Sequence, residues 1–224
     1  MTNHPTPWTA TDNYLHHHLV KEPPHLAAAT KKIRATTLPP MEVSPAQGKL
    51  LYLIAKIANA RRILEIGTFY GYSTMWLAYA VPDNGLVLSI ELTEKFVTMA
   101  QENINDAKLS HKVKLMQGDA AKILNELIFD NVEPFDMIFI DAHKPSYPEH
   151  LRLCMRLAKP GTIIVGDNVI LDGELSNTNN ANPKASSLRQ FIEDVGANPA
   201  LESTALQTVG AKGYDGFTFS VVTE

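Results

Sequence analysis

Five short apolar runs in this 224-residue chain each end in a carboxylate: Glu65, Glu91, Asp119, Asp141 and Asp167. Carried on parallel strands, such residues face one crevice, because ligands of open parallel sheets bind beyond the carboxyl ends of the strands. Like charges gathered there are costly unless they are paired or meet a cation. Any one of them, Asp119 most readily, reads equally well as the N-cap of a helix that follows a strand. Five in register call for hydroxyl donors, amines or a metal.

The richest stretch is Asp141-Ala142-His143-Lys144-Pro145-Ser146-Tyr147, together with Gly166-Asp167-Asn168. Asp141, Asp167 and Asn168 offer three oxygen ligands at the ends of neighbouring strands. Oxygen-only ligands suit a hard cation such as Mg²⁺ or Ca²⁺ (Mn²⁺ also accepts such a set), with water or substrate completing the shell. Lys144 follows Asp141 by three positions. A divalent cation beside a lysine favours the neutral amine, so Lys144 is a candidate base. The plainer alternative is a surface lysine or a salt bridge to one of the acids.

A second stretch, Ile63-Leu64-Glu65-Ile66-Gly67-Thr68-Phe69-Tyr70-Gly71-Tyr72-Ser73, reads as strand, glycine turn and helix start. That arrangement points backbone N–H groups and a helix dipole at a nucleotide-like ligand. Glu91, one β-α-β unit further on, suits the two hydroxyls of a ribose, which NAD and S-adenosylmethionine share. The glycine spacing separates them. It is not Gly-x-Gly-x-x-Gly, the pattern that lets backbone approach a pyrophosphate. An acid before the first glycine would repel a diphosphate and suit an ammonium group, so a sulfonium amino acid fits and a dinucleotide does not.

The elements that must carry these residues follow from periodicity. Apolar runs at 63–66, 86–90, 113–116, 137–140 and 162–165 alternate with helical patterns near 73–80, 94–107, 120–129 and 147–157. Near-continuous apolarity marks strands covered on both faces, and the alternation predicts a doubly wound parallel sheet. Residues 171–183 are polar and turn-rich and read as a loop; a helix at 184–195 and β-like runs at 201–209 and 217–222, the latter an antiparallel hairpin, complete the chain. Upstream, residues 1–11 read as loose, 12–21 and 25–37 as helices. Ser44-Pro45-Ala46-Gln47 reads as a capping box that opens a further helix. The expectation is one domain, 1–224, with N-terminal helices over 1–60 and a Rossmann-like core over 61–224.

Composition narrows the class. The net charge of −4 gives no basic footprint for nucleic acid. No apolar run approaches the ~20 residues of a membrane span, and the N-terminus lacks the apolar core of a signal peptide. The single cysteine, Cys154, lies in an apolar helical pattern and reads as a buried thiol, which with the missing disulfide suggests a reducing, cytoplasmic setting. His16-His17-His18 reads as a solvated helix rather than a metal site, because adjacent helical residues diverge.

The combination of Glu65-x-Gly67-x-x-x-Gly71-Tyr72-Ser73, Asp141-Ala-x-Lys144-x-x-Tyr147 and Asp167-Asn168, with Met41-Glu42-Val43-Ser44-Pro45-x-Gln47-Gly48 upstream and Gly213-x-Asp215-Gly216 downstream, resembles the metal-dependent, S-adenosylmethionine-dependent O-methyltransferases of the caffeoyl-CoA and catechol type. The resemblance implies a seven-stranded sheet with an antiparallel strand in the final hairpin. It implies that Val43, Glu65, Gly67, Thr68 and Ser73 line the methionine end of the cofactor, Ser73 meeting its carboxylate, that Glu91 holds the ribose, and that Asp119 and Ala120 border the adenine. Asp141, Asp167 and Asn168 would ligate the metal, Asp141 and Lys144 would serve catalysis, and a homodimer would be usual. Plant members carry an acid where His143 stands; His143 would contact the cofactor in its place or pack at the strand end. A small phenolic acceptor is implied, with a non-catalytic cofactor-binding protein and a methyltransferase of a non-phenolic acceptor as the alternatives.

Overall fold

A computed structural model describes residues 7–224. Three helices lead: α1 (Pro7–Leu19), α2 (Pro24–Arg34) and α3 (Pro45–Ile57). Strands and helices then alternate as β1 (Arg62–Ile66), α4 (Tyr72–Ala80), β2 (Leu86–Glu91), α5 (Glu94–Asp106), β3 (Val113–Gln117), α6 (Ala120–Phe129), β4 (Met137–Ile140), α7 (Tyr147–Met155), β5 (Ile163–Asp167), α8 (Pro183–Ala197), β6 (Leu201–Gly210) and β7 (Gly213–Val222). The seven strands form one sheet in the order β3-β2-β1-β4-β5-β7-β6, parallel except for β7, which runs antiparallel to both β5 and β6.

The side-chain period of two divides the strands between two apolar layers. Ile63, Val87, Met137, Phe139 and Val165 face α2 to α5, with Trp76, Leu51 and Ile33 buried among them. Leu64, Ile66, Leu88, Ile90, Ile138, Ile140 and Ile164 face α6 to α8, packing on Leu124, Leu151 and Phe191. Burial on both faces explains why the central strands β1, β2, β4 and β5 carry so little polarity, whereas β6 at the sheet edge is exposed and polar. The chain leaves β1 for β2 on one side and returns to β4 on the other. The crevice of such a sheet opens at that switch point, between the ends of β1 and β4.

Local chemistry sets several boundaries. Ser44 accepts a hydrogen bond from the Gln47 backbone at 3.2 Å and Pro45 opens α3, a cap of ~1 kcal/mol. The reciprocal half of the expected capping box is absent: the Gln47 side chain reaches away to Asp167 instead. Residues 1–6 lie outside the described region, and the loose segment expected over 1–11 is corrected from Pro7 on, where α1 already begins. That helix buries none of its residues, so no apolar period announces it. Leu171–Ser176 forms a 3-10 turn at the start of the predicted loop, and β6 and β7 meet across only Ala211 and Lys212, a tighter hairpin than the glycines suggest. Cys154 is fully buried, and burial drives its thiol pKa upward, against a nucleophilic role. His16 is half-buried, while His17 and His18 are exposed. Among the described residues no helix is long and apolar enough to cross a membrane.

Candidate functional site

A cleft of about 1050 Å³ opens over the carboxyl ends of the strands. Its floor at the switch point is the turn after β1. Gly67 has φ +99°, and a side chain there would overlap the Asp141 carbonyl, so β1 and β4 can approach only over glycine. The Asp141 backbone N–H donates to Ile66 O at 2.8 Å, locking the two strand ends together. Phe69 holds a left-handed conformation, φ 50°, uncommon for an aromatic residue. Glu91 compensates: one carboxylate oxygen accepts from the backbone of Phe69 at 2.9 Å and Thr68 at 3.2 Å, the other from Thr93 at 2.9 Å. Oε2 is thereby filled, while Oε1, with one donor, keeps a lone pair that can receive a hydroxyl from the cleft Glu91 lines.

Glu65 behaves differently from the other acids. It lies within β1, paired with Ser89 on β2, and its side chain turns to the sheet face beneath α4. It is fully buried. Ser73 donates to Oε1 at 2.6 Å, and Thr74 and Ser89 donate to Oε2 at 2.5 Å each. Burial raises its pKa to about 7, opposed by the three hydroxyls and reinforced by Asp141. Glu65 sits directly behind the cleft lining and is joined to it through Ser73. Asp119 keeps its capping role, Oδ1 accepting from the Lys122 backbone at 3.0 Å, while bordering the cleft with Gly118 and Ala120. Exposed His143 stands at the cleft's lip, and Val43 contributes an apolar wall.

Beyond the turn, Asp141, Lys144, Asp167 and Asn168 are brought together. The Lys144 ammonium donates to Asp141 Oδ1 and Asn168 Oδ1, each at 3.2 Å, and to the Asp167 carbonyl at 3.0 Å. Tyr147 accepts from it at 2.6 Å, and its hydroxyl reaches the carbonyls of Asp167 at 2.8 Å and Ile140 at 3.0 Å. Tyr147 is fully buried; burial first, then Asp141 and Asp167, push its pKa well above the phenol range, so it stays protonated. Buried Asp167 is raised to about 7, by burial and then by Asp141, with Lys144 and the amide of Gln47 pulling the other way.

This geometry fits a cation. Two side-chain oxygens already converge on one positive charge, and the Asp167 carboxylate beside them lacks full compensation. Among the described residues no three His, Cys, Asp or Glu side chains surround one point. The set that could hold a metal is thus two carboxylates and an amide oxygen, which suits a hard ion that keeps some of its water.

Asn168 has φ 54°. The segment it starts is tied by Asp215, whose Oδ1 accepts from the backbones of Ile170 at 2.9 Å, Leu171 at 3.2 Å and Gly216 at 2.9 Å. Three residues in or behind the site carried no part in it from sequence: Gln47, read only as half of a capping box, Tyr147 and Asp215. Tyr147 had a signal, one 3-10 turn past Lys144. Gln47 and Asp215 lie on elements far from Asp167 in sequence, and only folding brings them close.

A family model described as O-methyltransferase matches residues 16–219. A catechol O-methyltransferase of Niastella koreensis is 43% identical over 95% of this chain and 96% of its own length. Among solved structures, an O-methyltransferase from Bacillus cereus in complex with SAH superposes with a TM-score of 0.94 at 42% identity, covering 96% of this chain and 98% of that one. The O-methyltransferase TomG from Streptomyces achromogenes, involved in tomaymycin synthesis and bound to SAM, gives 0.93 at 41% identity over 97% of both chains.

Proposed function

The chain belongs to the O-methyltransferase family, and on that premise we propose that it moves the methyl group of S-adenosyl-L-methionine to a hydroxyl of a catechol-like phenol, assisted by a divalent metal. The observation that carries this reading is the convergence of Asp141 Oδ1 and Asn168 Oδ1 on the Lys144 ammonium beside Asp167, at the edge of a glycine-turn cleft. The cleft reaches the upper end of the ~300–1,000 Å³ usual for ligand pockets, room for a cofactor and a second small molecule.

The sulfonium amino acid lies along the Gly67–Ser73 turn, its carboxylate facing the first backbone N–H groups of α4, while the Ser73 hydroxyl, whose hydrogen goes to Glu65, keeps oxygen lone pairs for the ligand's ammonium. Glu91 takes the ribose, and Gly118, Asp119 and Ala120 edge the adenine. Asp141, Asp167 and Asn168 would hold the metal, Mg²⁺ by the hardness of these oxygen ligands. A divalent ion held there would supply Lewis-acid polarisation, lowering the pKa of the acceptor hydroxyl. Lys144, which reaches two of the same oxygens, is the base that would take up the hydroxyl proton. Tyr147, held protonated, fixes the Lys144 amine rather than acting as a base. The new O–C bond forms as the S–C bond breaks, and positive and negative partners become neutral products. The protein's share is to hold oxygen, methyl carbon and sulfur in line.

The test is methylation of catechol by the protein stripped of divalent metal with a chelator, then resupplied with Mg²⁺. Activity should vanish and return. Full activity in chelator refutes the metal's part while leaving the methyl donor's part intact.

A further inference from the structure

Three pieces of chain roof the acceptor end of the cleft. The first follows from strand length. β7 has ten residues, and its Phe217 lies opposite Asp167, the last residue of β5. Gly213–Gly216 therefore overhang the parallel strands by ~13 Å, and β6 rises with them. The overhang stands on the far side of Asp167 from the glycine turn, since β7 and β6 follow β5 in the sheet. Thr208, Val209, Gly210 and Lys212 of this hairpin line the cleft.

The hairpin tip is bound from two sides. Lys212 donates to the Pro40 carbonyl at 2.8 Å, the Glu42 carbonyl at 2.6 Å and Glu42 Oε1 at 3.3 Å. That connection leads into Val43 and α3, and Arg34 holds Glu42 from behind. On the other side Asp12 of α1 accepts from the Ala211 backbone at 2.7 Å, so close that a side chain at Gly210 would run into it. Asp12, Pro40, Glu42 and Lys212 all line the cleft.

We infer that this Asp12–hairpin–Glu42 clasp closes the acceptor end and selects compact phenols over acyl thioesters that carry a nucleotide tail. The inference rests on the proposed methylation of phenols. Its steric part is the roof itself: Lys212 and Asp12 tie the hairpin tip to the Pro40–Glu42 connection and to α1, across the end of the cleft where a long tail would run. Its electrostatic part is charge. Lys212 and Arg34 are engaged with Glu42, Asp12 adds a carboxylate, and Lys144 faces Asp141. Among the described residues, the cleft lining thus leaves no lysine or arginine free for the phosphates of such a tail.

The experiment compares kcat/KM for catechol and for caffeoyl coenzyme A, in the parent and in Lys212→Met and Asp12→Ala, with Mg²⁺ present. The parent should prefer catechol by about 100-fold or more, and each variant should narrow that ratio by about 10-fold, chiefly through the KM of the thioester. Circular dichroism melts check that both variants fold, and having two keeps the test open if one does not. Parent ratios near unity, or variants that slow both substrates equally, overturn the clasp while leaving phenol methylation standing. Turnover of neither substrate overturns both.

Discussion

Glu65→Gln tests how the glycine turn is held. Glu65 is fully buried, with Ser73, Thr74 and Ser89 donating to its two oxygens and Thr68 joined to Ser89 at 2.6 Å. Its pKa is raised from 4.5 to about 7 by burial, with the hydroxyls opposing and Asp141 adding to the rise. The folded protein therefore keeps this proton up to about pH 7, whereas the unfolded chain releases it near 4.5. Between those values the folded state binds more protons, so stability falls as pH rises, by ~1.4 kcal/mol per pH unit. The contribution is fully present below pH 4.5, is lost as pH rises through about 7, and amounts to ~3 kcal/mol. The variant carries no titrating group at this position, and its amide can still bond the surrounding hydroxyls, which rotate to accept. Urea unfolding of parent and variant from pH 4.5 to 8 reads the difference directly. Asp167, also raised to about 7, titrates in both proteins and cancels. The parent's stability relative to the variant should drop by ~3 kcal/mol across the range. A pH-independent difference refutes the reasoning, because it would mean that Glu65 stays ionised in the fold and that burial does not control it.

Two further outcomes follow from residues that anchor the site from outside its own strands. Gln47→Leu removes the amide that donates to Asp167 Oδ1, and Mg²⁺ binding measured by calorimetry should weaken by about 10–100-fold while S-adenosylmethionine binding holds. Asp215→Ala leaves three backbone N–H groups of the segment after Asn168 and of β7 without their acceptor, a loss of ~1–3 kcal/mol that a thermal melt should register as a fall of several degrees.

Much of the framework was legible in the chain. Parallel strands buried on both faces must be apolar throughout, so β1, β2, β4 and β5 were visible as runs, and helices of ordinary amphipathic period filled the gaps. Gly67 and Gly71 marked a turn because only glycine tolerates their backbone at no cost. The group Asp141, Lys144, Asp167 and Asn168 was legible because strand ends on neighbouring strands must come together. Helix α1 was half-hidden, since a helix that buries nothing leaves no apolar stripe. The position of Glu65 was hidden for a geometric reason. A residue one place before a strand's end points to a sheet face, whereas one past the end, such as Asp141, points into the crevice.

By itself, then, the amino-acid sequence determined the doubly wound sheet, the glycine turn and the residue types gathered at the strand ends, because each depends on local backbone preference and on the period of burial. Tertiary structure alone decided how those residues divide their work. Glu65 went beneath α4 because β1 and β2 pair it with Ser89. Gln47 met Asp167 across 120 positions because α3 packs over the strand ends. Lys212 met Glu42 across 170 positions because β6 and β7 outgrow the strands beside them. Contacts at such separations are set by the lengths and packing of whole elements, which no short stretch of chain contains.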